Sequence, residues 1–521
     1  MNTIETVFEY HERTKHHPNR YAASLGYMDW ATQPDPFRRY EGAKLRALPL
    51  TLEVATPSYG AIFEEQGVAP APLEEATLSQ LLQFSLGLAA WKSIGTDRWA
   101  LRCNASSGNL HPTEAYLVLP PVKEVNERSS VVHYAPKEHA LETLASFDTP
   151  FWESLPQGSF LLALNAVLWR EAWKYGERAF RYCQLDAGHA RRAVEVSAAM
   201  LGWQVTRLDV DAPLIEKLTG SDQGERFERM EGESSDMLLL ISPCRADTAD
   251  LAALLESLPR TYTGKAKPLS PSHHHWEAID LAERATREGA NGPSCRFAVR
   301  RPSVDADAKE VIMKRRSAQA MDFGLASITK DAFDTLIASV LPEAPETTPV
   351  HFVLFIHHVE GLERGLYLLV RNPDHLRTLK TATRSDFLWR DCGSGLYLLE
   401  PGDFTAQAKF ISCSQDIASD SAFSLGMLCE FRGQLEEYGA RRYKELFIEC
   451  GAIGQQLYLE ATSLHLSATG IGCFLDDVLH RMLGLEDDRF QSLYHFTVGR
   501  AIVDMRLTTL PPYYHLGNTG M

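Results

Sequence analysis

Seven residues, Ser106-Ser107-Gly108-Asn109-Leu110-His111-Pro112, gather two hydroxyls, a carboxamide and an imidazole around one glycine. Such a loop can offer backbone N–H groups and an amide to a flat, polar heterocycle. The same composition also makes an ordinary polar turn. In the second half of the chain, Lys314-Arg315-Arg316-Ser317-Ala318-Gln319 sets two guanidinium groups and a hydroxyl side by side. Near a helix start this set suits a dianionic phosphate, because both the charges and the donors point one way. A basic surface turn is the plainer alternative.

These segments need elements to position them. The Ser106–Pro112 loop falls between a helix-like segment ending near Trp91 and a strand-like run, Ala115–Leu119. A self-alignment supplies more. Placing Tyr175 on Tyr438, an offset of 438 − 175 = 263, also aligns Phe160 with Phe423, Gly176 with Gly439, Arg178 with Arg441 and Gly188 with Gly451 without a gap. Each copy reads as a strand, a helix carrying Tyr-Gly-x-Arg, and a second, more apolar helix. In the first copy these are residues 159–168, 170–183 and 187–201. So long a period signifies a duplicated domain rather than a solenoid. Strand-like runs at 351–357, 365–370, 395–399 and 495–498 alternate with helices at 331–340 and 451–466 in the second half. This is an α+β pattern. The expected division is domain 1 over 1–260, a Pro/Ser/Gly-punctuated linker over 261–300, and domain 2 over 301–521. The linker's His273-His274-His275 run reads as solvated rather than metal-binding, and no metal site is expected.

Composition narrows the function. The 521 residues carry a net charge of −16, which argues against nucleic-acid and anionic-membrane partners. No apolar run reaches the roughly 20 residues of a membrane span, and no signal peptide is visible. Nine scattered cysteines without a Cys-x-x-Cys fit a reduced cytoplasm. No Gly-x-Gly-x-x-Gly follows a strand, so a Rossmann dinucleotide site is not supported.

The Ser106–Pro112 loop resembles the Ser-Ser-x-Asn-x-(Gln/His)-Pro loop of nitroreductase-like FMN flavoproteins, particularly their SagB-type dehydrogenase branch. The chain then looks like a tandem of two nitroreductase-like domains, each a mixed, largely antiparallel sheet flanked by helices, forming an intramolecular pseudo-dimer. The resemblance implies that Ser106, Ser107, Gly108, Asn109 and His111 lie against the flavin of FMN. It implies that Arg315, Arg316 and Ser317 hold the FMN phosphate and ring edge, with Gln319 where the family pattern has Arg. Gly470-Ile471-Gly472 resembles the Gly-rich turn that lets backbone approach the flavin, and Arg500 and Arg506 resemble a second phosphate anchor. Lys174-Tyr175 resembles the Lys-Tyr pair implicated in SagB-type catalysis, with Lys174 as proton-transfer group and Tyr175 as relay.

The two halves depart from the family in opposite directions. The first keeps the Ser-Ser-x-Asn loop and Lys174 but has Arg207-Leu208-Asp209 where the second has Gly470-Ile471-Gly472; the second keeps the phosphate segment but has Glu437 in place of Lys174. The implied activity is an FMN-dependent oxidoreductase acting by hydride transfer at flavin N5 in a single interdomain site. NAD(P)H is a candidate co-substrate, and the substrate is a small molecule or a peptide. The expected assembly is a monomer with an internal pseudo-dimer, or a higher homo-oligomer. The alternative is a flavin-poor or cofactor-free scaffold, or a substrate-binding partner in a peptide- or metabolite-modifying complex, which Gln319 motivates.

Overall fold

The structure, a computed structural model, describes residues 3–227, 231–298 and 306–517. The chain forms two compact units. Among the described residues, the amino unit holds 24–227, 231–290, 306–314 and 505–517; the carboxy unit holds 3–23, 291–298 and 315–504. The expected division at 260 and 301 keeps each terminus with its sequence neighbours, whereas residues 3–23 and 505–517 each belong to the unit built from the opposite half. The expected boundary at 300/301 lies outside the described residues.

The amino unit is built on a seven-stranded antiparallel sheet. Its order is Lys44–Ala47, Ala140–Phe147, Ser129–Ala135, Thr113–Leu119, Phe160–Ala166, Ser234–Ser242, Gln204–Arg207. The carboxy unit repeats the plan: Arg390–Asp391, Leu396–Pro401, Gly365–Leu369, Val350–Ile356, Phe423–Glu430, Phe490–Gly499, Ser467–Ile471. The ungapped self-alignment is visible in the element starts. Strands begin at Phe160 and Phe423, long helices at Ala179 and Arg442, and edge strands at Gln204 and Ser467. Alternate residues of each sheet feed a core: Val118, Leu161 and Leu240 in one, Val353, Leu366 and Leu428 in the other. The helices Ala179–Ala199 and Arg442–Ser463 are buried on nearly every side, as central core helices must be.

Several boundaries differ from the sequence reading. The expected break between helices at 184–186 instead falls at Gly176, whose φ of +56° ends helix Leu168–Tyr175. Gly439, at φ +83°, ends Arg432–Tyr438 in the same way. A left-handed residue stops a helix at little steric cost only as glycine. The helix expected to end near Trp91 is Glu75–Ser85. Leu88–Ile94 is instead a strand, pairing with Asp97–Arg102 and with Thr508–Leu510.

The stretch read as a linker is laid down on the amino unit. Lys265–Ala266 pairs with Tyr40–Glu41, and the Leu269 and Ser270 N–H groups donate to the Glu231 carboxylate at 2.6 and 2.8 Å. His273, expected to be solvated, is buried with Nε2 2.6 Å from the same carboxylate. A buried carboxylate needs such partners, and Leu269, Ser270 and His273 supply them.

At the amino end, helix Thr3–Arg13 belongs to the carboxy unit. Phe8 packs edge-on to Phe431 at 5.6 Å, and His11 reaches the Tyr443 hydroxyl at 3.3 Å and Gln491 at 3.2 Å. Among the described residues, no helix is long and apolar enough to cross a membrane.

Candidate functional site

In the amino unit, the Ser106–Pro112 loop feeds the central strand Thr113–Leu119. Residues Ser107–Asn109 make a tight turn with Gly108 at φ +59° and Asn109 at +61°. Asp186, buried on helix Ala179–Ala199, accepts from the Ser107 N–H at 2.9 Å and from its hydroxyl at 2.9 Å. Asn109 donates to the Ala100 carbonyl at 2.9 Å and lies 3.0 Å from His111 Nε2. The Ser106 hydroxyl accepts from the His111 N–H at 2.8 Å. Much of the polarity expected to face a ligand is therefore spent on shaping the loop, and Gly108 is its exposed tip.

Helix Leu168–Tyr175 grips this loop from the side. Arg170 donates to the His111 carbonyl at 2.8 Å and pairs with Glu114. One turn on, the same helix brings Lys174 and Tyr175 to the tip. A Cβ built on Gly108 would stand 2.6 Å from the Tyr175 hydroxyl and 3.2 Å from Lys174 Nζ. The Lys174 ammonium also sits over the Tyr175 ring, 5.3 Å from its centroid. The loop and the Lys-Tyr pair, distant in sequence, are thus one cluster, and glycine at 108 is what permits their approach.

Buried acids stand behind this cluster. Burial raises the Asp186 carboxyl to about 7, against the opposing hydrogen bonds from Ser106 and Ser107. Glu171 is buried, neither of its oxygens has a hydrogen-bond partner among the described residues, and burial followed by the charge of Asp186 pushes it well up. Deeper in the sheet, His133 lies between Glu114 at 2.8 Å and Glu142 at 2.9 Å. Burial alone would lower His133, but the two carboxylates carry it up to about 9. Burial likewise opposes ionisation of Glu114, yet Arg170, His133 and Arg102 hold it down at about 2.

The carboxy unit assembles the other predicted set. Ser317 bridges in parallel to Ala468 of the edge strand Ser467–Ile471, and the Thr469 hydroxyl donates to the Ala318 carbonyl at 2.6 Å. Tyr458, on the long helix, is the hub: its hydroxyl lies 2.9 Å from the Ser317 hydroxyl and accepts from the Gly470 N–H at 2.8 Å. The Arg315 guanidinium covers the Tyr458 ring at 5.2 Å and is buried, while Arg316 is half-buried and Ser317 and Gln319 are exposed.

Gly470-Ile471 is strand rather than turn, a correction to the expectation. Glycine serves there because a Cβ would fall 1.8 Å from the Tyr494 hydroxyl. Exposed Arg500 follows the neighbouring strand Phe490–Gly499, and its carbonyl accepts from the Asp322 N–H at 2.7 Å. Arg506 is also exposed but belongs to the amino unit.

The outward-facing groups of the carboxy unit fit a phosphate monoester. Arg316 and Arg500 supply charge, and Ser317 and Gln319 supply neutral donors close by in sequence or across the strand pairing. Sequence reasoning missed Asp186 and Tyr458. An acid at the aligned position of the second copy, Glu449, was the available signal for the first; nothing local marked the second. A cavity of about 790 Å³ in the carboxy unit, lined by Glu5, Glu9, Lys15, Arg432, Asp477 and others, contains none of the predicted site residues. Among the described residues no cluster of three His, Cys, Asp or Glu side chains could hold a metal ion.

Comparison with known proteins bears on the fold. Residues 312–500 match the Nitroreductase family model. No curated protein matches the chain. Among solved structures, a provisionally named nitroreductase from Anabaena variabilis superposes with a TM-score of 0.69 at 22% identity, covering 95% of this chain and 99% of its own. A second provisionally named nitroreductase, from Ralstonia eutropha, has a TM-score of 0.28 at 16% identity, covering 42% of this chain and 99% of its own. The E. coli microcin synthetase McbBCD complex with truncated pro-MccB17 has a TM-score of 0.27 at 16% identity, covering 47% of this chain and 94% of that one. Residues 312–500 thus match the Nitroreductase family model, and the chain as a whole shares the fold of the Anabaena structure.

Proposed function

We propose that the chain is an FMN-dependent oxidoreductase of nitroreductase type that works as a SagB-like dehydrogenase and binds one flavin per chain. The observation that supports it most is the meeting of Lys174 and Tyr175 with Gly108 at the tip of the Ser-Ser-Gly-Asn loop. Bound FMN would supply two-electron chemistry; the protein's residues bind, orient and move protons. Arg316, Ser317, Gln319 and Arg500 hold the phosphate end. The Asp186-shaped loop presents its backbone tip, and Arg170 fixes the helix that carries Lys174. Lys174 takes or gives the proton, with Tyr175 as relay. One site per chain follows from the complementary losses: each half keeps what the other has replaced.

A colourless scaffold is the second reading. Gln319 in place of Arg and the internal use of Ser107 and Asn109 favour it. The purified protein's absorption spectrum separates the two. A flavin spectrum with FMN released on denaturation, titrating to one per chain, supports the enzyme; a colourless protein that cannot be reconstituted supports the scaffold. Within the enzyme class, Lys174→Ala should retain flavin and lose about two to four orders of magnitude in turnover. Unchanged turnover would remove Lys174 from the mechanism.

A further inference from the structure

The carboxy unit contains a thiol pair that the proposed flavin chemistry does not use. Cys413 follows helix Thr405–Ile411, and Cys473 lies two residues beyond the edge strand Ser467–Ile471. Their sulfurs are 2.9 Å apart. That is closer than two unrelated thiols pack and longer than the covalent S–S bond of about 2.05 Å. Both are half-exposed, so a small reagent can reach them; of the other seven, Cys244 and Cys392 are exposed and five are buried.

The surrounding backbone holds the pair together. Cys413 and Ser414 both adopt left-handed conformations, at φ +54° and +61°, which turn the chain back toward the strand end. Leu475 N–H donates to the Ile411 carbonyl at 2.7 Å, and the Gln415 amide donates to the Cys473 carbonyl at 3.2 Å. The two segments are thus fastened on both sides of the sulfurs.

We propose that Cys413 and Cys473 are a redox-active dithiol that small-molecule disulfides convert to an intrachain disulfide. One thiolate attacks a sulfur of the reagent and expels one thiol equivalent. The second protein thiolate then attacks the mixed disulfide and expels the other. Per chain, two protein thiols and one disulfide give one protein disulfide and two reagent thiols. The cross-link ties the 411–415 turn to the end of the strand whose Ala468 and Thr469 hold Ser317 and Ala318. It therefore stiffens the floor of the phosphate-binding segment.

The test uses the full chain equilibrated in glutathione buffers of increasing oxidised fraction, followed by alkylation and peptide mapping. The expected product is a cross-linked peptide pair containing Cys413 and Cys473, formed at a lower oxidised fraction than glutathionylation of Cys244 or Cys392. Cys473→Ser should stop the reaction at a Cys413–glutathione mixed disulfide, and Cys413→Ser should trap Cys473 likewise. Dithiothreitol should reverse each product. Cys413 and Cys473 both remaining alkylatable while Cys244 and Cys392 are glutathionylated would overturn the proposal. So would stable double glutathionylation of the pair in the wild type.

Discussion

Asp186 and Glu449, aligned by the internal repeat, occupy matching positions on the two long core helices, and each accepts a hydroxyl hydrogen bond from the segment that feeds the central strand of its own sheet. For Asp186 the donor is Ser107 at 2.9 Å; for Glu449 it is Thr348 at 2.7 Å. The carboxylate is a shared brace, and in the first copy the braced segment is the one carrying the Ser-Ser-Gly-Asn turn.

This brace should make the amino unit sensitive to pH. The folded state raises Asp186 from 3.8 to about 7, so the folded protein holds that proton more tightly than the unfolded chain does. Its stabilising contribution is complete below pH 3.8 and is lost as pH rises through about 7. The full span is worth roughly 4 kcal/mol at most. Asp186→Asn, which resembles the protonated form, should flatten this part of the profile. Urea unfolding midpoints of wild type and variant between pH 5 and 8 measure it; parallel curves would show that Asp186 does not titrate in this range.

His133 gives a second, separable pH dependence. Its folded value is raised from 6.5 to about 9, so its contribution is whole below pH 6.5 and disappears as pH climbs through 9. His133→Gln leaves Glu114 and Glu142 short of a cation and should cost about 3–5 kcal/mol at pH 7. Thermal melts at pH 7 and pH 10 should show the gap between variant and wild type shrinking at the higher pH.

Gly108→Ala meets two penalties of different origin. The left-handed backbone costs an alanine about 1–2 kcal/mol, and the new methyl collides with the Tyr175 hydroxyl. Adding Tyr175→Phe should recover the collision but not the backbone cost. A double-mutant cycle on unfolding free energy reads the coupling directly, and strict additivity would mean that the loop tip and Tyr175 do not touch.

The neighbouring arginines should behave differently. Arg315 is buried over Tyr458, so Arg315→Ala should lower stability and weaken FMN and riboflavin alike. Arg316 is half-buried and nearer solvent. Arg316→Ala should leave stability within about 0.5 kcal/mol and weaken FMN selectively, by about 1.5–3 kcal/mol for a lost charge-assisted hydrogen bond. Fluorescence titration with both flavins distinguishes the patterns; equal loss for the two ligands with Arg316→Ala would take Arg316 off the phosphate.

Much of the fold was readable because the duplication is nearly ungapped from strand to edge strand, so each copy corroborated the other. The Ser106–Pro112 loop was readable for a different reason: Gly, Asn and His-Pro constrain the backbone wherever they occur. Gly470-Ile471-Gly472 resembles a turn because its two glycines carry little strand propensity, and the pairing of Ser467–Ile471 with Phe490–Gly499 is what makes Gly470 and Ile471 strand. Tyr458 was hidden in an apolar helix, where a tyrosine reads as packing until its hydroxyl's partners are known. The buried role of His273 depended on Glu231, which no local pattern links to it.

The reciprocal placement of the two ends also bears on how the molecule is made. Chains leave the ribosome at about 5–20 residues per second, so helix Thr3–Arg13 must wait on the order of tens of seconds for Phe431, Tyr443 and Gln491 to emerge. The amino unit, though mostly synthesised first, still lacks the strand Thr508–Leu510 until the carboxy unit has been translated. The amino unit therefore stays incomplete throughout translation of the carboxy unit, and helix Thr3–Arg13 stays unpartnered until that unit appears. A nascent chain stalled between residues 291 and 431 thus exposes two unfinished surfaces at once: helix Thr3–Arg13 without its aromatic partners, and an amino unit without its last strand.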